Sequence, residues 1–382
     1  MLRRTIPFGL LVAAACGGKA APPATPADRL AAELTALVDS TLAGAPEVPG
    51  IMLRVEAPSL GLAWTRAVGV FDKATREPLK PEHTVRIASN TKTYVAAAIL
   101  RLVEDGKLSL DQPIASLILP ASVATLARDG YDASVISLRM LLQHTSGMFD
   151  YAMSPAFLGR VTSAPTHRWT RAEQLALAVD SGAPYGGPGE VYHYSDTGYI
   201  LLGEILEKVT GRSMPEAVRD LIGFERLGIK YTYFETLDSV PAGTPPKAHQ
   251  YLDSLDATNF DASVDLYGGG GLVSNLEEMA RFYRALVRGE IFTKRETLDS
   301  MLVMSPQSQK ERPGGYGMGI ASGTTDGVVC YGHGGFWGTA ARHCPSIDLT
   351  VTAAVNHTSD ASLRRVTEEA IRLAIAAIAA AK

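Results

Sequence analysis

The sequence predicts a mixed α/β fold of the α+β type. An antiparallel sheet is built from the N- and C-terminal segments and flanked by helices, with an all-helical insert between its halves. Three observations predict this. Apolar-rich runs split by turn residues occur near the start, at 50–55 and 62–70, and again near the end, at 328–331, 340–343 and 349–355. Between them, over about residues 111–262, helical stretches alternate with Pro/Gly loops. The composition, 46% hydrophobic and 20% charged over 382 residues, is that of a globular chain and excludes a disordered or coiled-coil protein.

The elements follow in order. Arg3 and Arg4 precede an apolar run over 6–15, too short to span a bilayer, so residues 1–16 read as an export signal. The run resembles a bacterial lipoprotein signal, in which Cys16 would be lipidated and become the new N-terminus. An ordinary secretory peptide cut near Ala15 is the alternative. Either one implies a periplasmic or cell-surface protein, attached to a membrane, in the lipoprotein case, by a lipid anchor only. Residues 17–28 are Pro/Ala-rich and read as a tether, leaving 29–382 as the folded body. Leu30, Leu34, Leu37 and Val38 recur at helical spacing within 27–42, with Asp28 placed to cap. Residues 93–104 are apolar on nearly every side and predict a buried helix ended by Gly106. Residues 199–209 form the clearest helix of the insert. Gly268 to Gly271 enter a further helix over 272–286, and 362–381 close the chain with an Ala/Ile-rich one.

Lys plus Arg is 36 and Asp plus Glu is 40, a net charge of −4, which excludes electrostatic nucleic-acid binding. Three cysteines occur. With Cys16 at the anchor, Cys330 and Cys344 remain, placed symmetrically about Trp337. A hairpin turning at 336–338 sets them opposite each other and predicts a cross-strand disulfide. The eight histidines are scattered, with no metal-ligand spacing, so neither a metal nor another cofactor is expected.

Three short motifs carry chemistry. Ser89 and Lys92 stand three apart where the buried helix begins, so they share a face. A serine hydroxyl needs a proton acceptor to become a nucleophile. A desolvated lysine near other cations can supply one. Tyr194 and Asp196 lie in a loop before a helix, and a tyrosine can act as a base when a lysine stabilises its anion. His333, Gly334 and Gly335 lie on a predicted strand, where glycines admit a substrate close to the backbone and an N–H can join an oxyanion hole. Each motif alone is also explained structurally: a capping serine with a solvated lysine, stacked tyrosines, or a glycine-rich hairpin.

Their order is the stronger signal: SxxK, then YxD about a hundred residues later, then HxG near the end. This resembles the penicillin-recognising serine hydrolases, namely class C β-lactamases, related soluble DD-peptidases and family VIII esterases. The segments LVEDGKLSLDQPI at 102–114, LLQHTSG at 141–147, the glycine run into LVSN and GYGMG at 315–319 resemble the same family, over about residue 30 to the end. The resemblance implies a β-lactamase/transpeptidase-like fold and an acyl-enzyme on Ser89. Lys92 and Tyr194 share the activating proton, and the N–H groups of Ser89 and Phe336 form the oxyanion hole. His333 hydrogen-bonds towards Tyr194. His144 to Gly147 read as a structural loop tied by Thr and Ser hydroxyls.

Two positions depart from the penicillin-binding members. Asp196 stands where Asn is usual, and a carboxylate only accepts hydrogen bonds. It favours an amino group over a carbonyl. Gly334 and Phe336 stand where hydroxyls usually hold the substrate carboxylate, and Phe336 with Trp337 makes an apolar wall instead. Asp196, Gly334, Gly335 and Trp337 are therefore the expected substrate-binding residues. The expected function is an exported serine hydrolase acting on esters or amides of D-amino-acid peptide type, a small molecule or peptidoglycan fragment. The alternatives are a true β-lactamase or D-Ala-D-Ala carboxypeptidase, with Arg342 as the carboxylate partner, or a non-catalytic surface binding module. The oligomeric state stays open.

Overall fold

The computed structural model describes residues 24–381. The export signal, Cys16 and residues 17–23 of the tether lie outside them. The chain becomes helical earlier than its Pro/Ala composition suggests. Helix Pro26–Ala43 is capped by Thr25, whose hydroxyl accepts the Asp28 N–H while the Asp28 carboxylate accepts the Thr25 N–H. Asp28 is thus the inner partner of a capping box and not the cap. Pro26 fits the first position because no donor is needed there.

Eleven strands form among the described residues: β1 Gly50–Ala57, β2 Leu62–Gly69, β3 Val85–Arg86, β4 Tyr233–Phe234, β5 Tyr251–Leu252, β6 Leu255–Asp256, β7 Leu272–Ser274, β8 Ala321–Thr325, β9 Val328–Gly335, β10 Thr339–Cys344 and β11 Leu349–Val355. The main sheet runs β2-β1-β11-β10-β9-β8, antiparallel throughout. The two ends of the chain therefore build one sheet, joined where β1 pairs with β11, Ile51 opposite Val355. The edge strand β8 was not expected. Its sequence, ASGTT, has no apolar alternation, and only pairing with β9 makes it a strand.

The sheet buries both faces. Ile51, Leu53 and Val55 of β1, with Val351 and Ala353 of β11, face the terminal helices Pro26–Ala43 and Asp360–Ala380 through Leu30, Leu34, Val366 and Ala370. Met52, Ala341 and Ala354 face the other side, where helix Leu276–Val287 packs. Each fully buried side chain of this size contributes about 1.5–3 kcal/mol.

Helices dominate residues 111–262, but the insert is not all helical, since β4, β5 and β6 fall within it. A small sheet, β3-β7-β4, ties it to the segment entering the Ser89 turn. Leu272 to Ser274, expected as a helix start, form β7, and Asn275 then caps helix Leu276–Val287 through the Glu278 N–H. Three apolar-rich residues carry no period of their own, and pairing on both sides decides their conformation.

Candidate active site

The nucleophile turn is built by a tight junction. β3 ends at Arg86, and a single 3-10 turn, Ala88–Asn90, runs straight into helix Thr91–Glu104. Ala88 sits at φ 47°, a left-handed conformation that costs a non-glycine residue about 1–3 kcal/mol. Asn90 holds the turn: its amide donates to the Ile87 carbonyl and to Thr339 Oγ1, each at 3.1 Å, and its Oδ1 accepts the Tyr283 hydroxyl.

Lys92, fully buried, has three acceptors around Nζ: Ser89 Oγ at 2.9 Å, the Gly269 carbonyl at 2.7 Å and Asp196 Oδ1 at 2.6 Å. An ammonium has three donors, so this set satisfies a charged lysine. Two expectations change here. The charged group in contact with Lys92 is a carboxylate and not a cation. Asp196, expected to face substrate, spends one oxygen on Lys92. The glycine run allows this approach: a Cβ on Gly269 would come within 3.3 Å of the Asp196 carboxyl.

Tyr194 reaches the same point from the loop before helix Asp196–Thr210. Its hydroxyl is buried without a well-formed hydrogen bond, next to Ser89. Burial, then the Asp196 carboxylate, push this phenol well above its usual range, so it carries its proton at rest. The loop is held by His144, in keeping with the structural reading of 144–147. The His144 ring accepts the Ser195 N–H at 3.1 Å, and its carbonyl accepts the His193 N–H at 2.9 Å. Burial, then the Lys92 charge, keep His144 neutral by lowering it far below the usual range.

His333 of β9 does not hydrogen-bond Tyr194. Its Nδ1 donates to the Gly334 carbonyl at 2.6 Å, which leaves Nε2 to accept the Tyr316 hydroxyl at 2.9 Å. Tyr316 is fully buried, and its ring centroid lies 5.6 Å from that of the imidazole, against 6.1 Å for Tyr194. Burial, then Lys92, lower His333 to about 3, so it is neutral at physiological pH. Gly335, which lines the cavity at Ser89, also has a packing reason to be glycine, because a Cβ there would stand 2.3 Å from the Ile87 carbonyl. A Cβ on Gly334 would meet only the Thr339 carbonyl, at 3.8 Å.

Ser89, Tyr194 and Phe336 line two cavities. One, of about 360 Å³, is bounded by His333, Gly334 and Leu363. The other, of about 400 Å³, is walled by Phe157, Leu158, Val161, Leu252 and Trp337, and takes in Asp150, Asp196 and Asp265. Phe336 is 60% exposed at the mouth and Trp337 is 3% exposed. Ser89 and Phe336, the expected oxyanion donors, thus share both cavities. Arg342 lines a third, of about 440 Å³, which has Gly334 and Leu363 in common with the first.

Sequence reading missed four residues here. His144 and Tyr316 lie in segments singled out only for their resemblance. Asp150 and Asp265 are lone loop carboxylates with no local signal. Away from the site, Cys330 and Cys344 are disulfide-bonded across β9 and β10. Asp72, His249 and Asp256 bring three possible metal-ligand atoms within 4.8 Å of one another. They are engaged internally: His249 bonds Asp256 at 2.7 Å, and Asp72 accepts the Ala74 N–H and the Tyr251 hydroxyl.

The chain is similar to Esterase EstB of Burkholderia gladioli, 25% identical over 357 residues, covering 85% of this chain and 89% of the esterase. It is similar to a D-aminopeptidase of Cereibacter sphaeroides, 24% identical, covering 78% of this chain and 55% of that protein. The chain spans about half the length of most of the curated relatives it matches, the esterase being an exception. Among solved structures, a D-stereospecific amidohydrolase from Streptomyces sp. superposes with a TM-score of 0.75 at 26% identity, covering 87% of this chain and 96% of the amidohydrolase. The family described as Beta-lactamase matches residues 40–376, spanning every element that builds the site around Ser89, and the chain belongs to that family.

Proposed function

We propose that this protein is an exported serine hydrolase that forms an acyl-enzyme on Ser89 with ester or amide substrates of D-amino-acid peptide type. The observation that carries it is the placement of Ser89 Oγ 2.9 Å from Lys92 Nζ, beside the buried Tyr194 hydroxyl, at the mouth of a largely apolar cavity. The esterase, aminopeptidase and amidohydrolase named above support the ester or amide class.

The proton balance follows from the contacts. Ser89 Oγ adds to the carbonyl carbon and releases its proton to Lys92. A lysine that is already an ammonium can accept it only by handing a proton to Asp196, 2.6 Å away. The tetrahedral oxyanion accepts the N–H groups of Ser89 and Phe336, each such donor being worth about 3–4 kcal/mol. Tyr194, protonated at rest, gives its proton to the departing amine or alcohol and recovers one from Asp196 through Lys92. Water then repeats the sequence on the acyl-enzyme.

Export, with a lipid anchor at Cys16, rests on the residue pattern of 1–16, and the disulfide suits an oxidising compartment. The D-Ala-D-Ala carboxypeptidase reading draws on Arg342, whose cavity adjoins the catalytic one at Gly334. Intact-mass spectrometry after mixing with p-nitrophenyl butyrate and, separately, benzylpenicillin tests both. An acyl adduct from the ester, absent in Ser89→Ala, is the expected result. A stable penicillin adduct moves the assignment to a peptidase of cell-wall type. No Ser89-dependent adduct or turnover from the ester overturns the proposal.

A further inference from the structure

The larger catalytic cavity is mainly apolar; besides the hydroxyls of Ser89, Thr162 and Tyr194 it carries three carboxylates, two of which make no ion pair among the described residues. Asp150 caps the short turn Tyr151–Met153 and is 6% exposed. Its Oδ1 accepts the Ala152 and Asp196 N–H groups, both at 3.1 Å, while its second oxygen has no partner. Asp265 follows the turn Ala262–Val264, and its carboxylate makes no hydrogen bond or ion pair among the described residues. It is pinned against the glycine run, where a Cβ on Gly270 would lie 2.6 Å from its carboxyl carbon. Asp196 is matched by Lys92. The other nearby cation, Arg86, is committed to Glu235 and to the carbonyls of Ala257, Thr258 and Phe260. No lysine, arginine or histidine lines this cavity.

Carboxylates without an ion-pair partner in a largely apolar wall are costly, because water access is restricted and the two N–H groups on Asp150 Oδ1 offset the loss only in part. Burial raises Asp150 to about 7, with the Asp196 charge adding to it, and raises Asp265 to about 6. A cation in the cavity relieves both. Among the described residues no cation lines the cavity, Lys92 and Arg86 being engaged outside it, and the cavity opens on the nucleophile, so the substrate is the available source. Phe157, Leu158, Val161 and Leu252 then surround the apolar part of the same acyl group.

We propose that Asp150 and Asp265 bind a primary ammonium group on the acyl half of the substrate, making the enzyme selective for acyl groups that pair a free amine with an apolar side chain. This rests on the acyl-enzyme reading of Ser89 and deepens it. The two carboxylates are specificity determinants: they touch the substrate amine and take no part in proton transfer.

Three p-nitrophenyl esters that differ only at the amine provide the test: those of phenylalanine, N-acetylphenylalanine and 3-phenylpropionic acid, with both enantiomers of the first two. The free-amine ester is expected to exceed the other two at least 100-fold in kcat/KM. In Asp265→Asn and in Asp150→Asn the ratio of free-amine to 3-phenylpropionyl ester should fall at least tenfold, each ratio being taken within one variant. Equal rates for the three esters in the unmodified enzyme, or a ratio untouched by both substitutions, overturns the proposal. Calorimetry on Ser89→Ala with 2-phenylethylamine against 2-phenylethanol reads the subsite without turnover. Amine binding at least tenfold tighter supports the subsite even if no ester is cleaved, an outcome that defeats the acyl-enzyme reading alone. Equal binding of the two overturns the subsite, whatever the esters do.

Discussion

Lys92 Nζ and Asp196 Oδ1 stand 2.6 Å apart beneath Ser89, the lysine fully buried and the carboxylate nearly so. The fold thus places a counter-ion directly on the lysine proposed to activate Ser89, within reach of a proton that lysine would release.

Removing the carboxylate should therefore cost both stability and rate. Asp196→Ala leaves a buried ammonium without its partner and is expected to destabilise the fold by about 3 kcal/mol. Asp196→Asn keeps an acceptor and should cost less, yet an amide cannot take the proton that Lys92 must release. Its single-turnover acylation rate should drop at least tenfold. Urea unfolding at pH 7 and stopped-flow with an aryl ester check the two parts.

Tyr194 holds its proton at rest because burial and Asp196 push the phenol far up. As the acid for the leaving group it matters in proportion to how poorly that group departs. Tyr194→Phe should lower kcat on an anilide or peptide amide by about 10²–10⁴-fold, the usual worth of such a group. On p-nitrophenyl esters the loss should be much smaller. Equal losses on both would remove the role.

The Cys330–Cys344 bond closes the loop that carries His333, Gly334 and Phe336, with a sequence separation of 14. A cross-link closing a loop of this size is worth about 3 kcal/mol, mainly by restricting the unfolded chain. The double substitution Cys330→Ser with Cys344→Ser should lose about that much in urea unfolding. Reduction of the unmodified protein should match it.

Burial raises Asp150 to about 7 in the fold, from the usual carboxylate value of 3.8. Its protonated form is favoured in the native state, so its contribution to stability is present at low pH and lost as pH rises through about 7. Unfolding free energy should fall between about pH 4 and 7, and Asp150→Asn should flatten that fall by up to about 1.4 kcal/mol per pH unit. A slope identical in both proteins would contradict the assignment.

His333 works in the opposite sense. Lowered to about 3 from 6.5, it is neutral in the fold and charges more readily when unfolded. Its contribution is complete above 6.5 and lost as pH falls towards 3. His333→Gln should lessen acid destabilisation between pH 6 and 4 by up to about 1.4 kcal/mol per pH unit.

Much of this was legible in the sequence. The runs at 50–55 and 349–355 announced strands by their apolar content, and the all-round apolarity of 93–104 announced a buried helix. The three-residue spacing of Ser89 and Lys92 set them on one helical face before any fold was known. Symmetry about Trp337 set Cys330 opposite Cys344. Local spacing settles such features because helices and hairpins are short-range objects. The tertiary structure decided the rest. β8 became a strand only beside β9, and His333 turned to Tyr316 because that hydroxyl arrives from a separate segment. Lys92 met Asp196 from 104 positions away along the chain. Asp150 and Asp265 came to one cavity from separate loops, each an unremarkable residue in its own neighbourhood. Charge balance in a buried site depends on which side chains share a small dry volume. Nothing in the order of residues states that volume until the chain has closed around it.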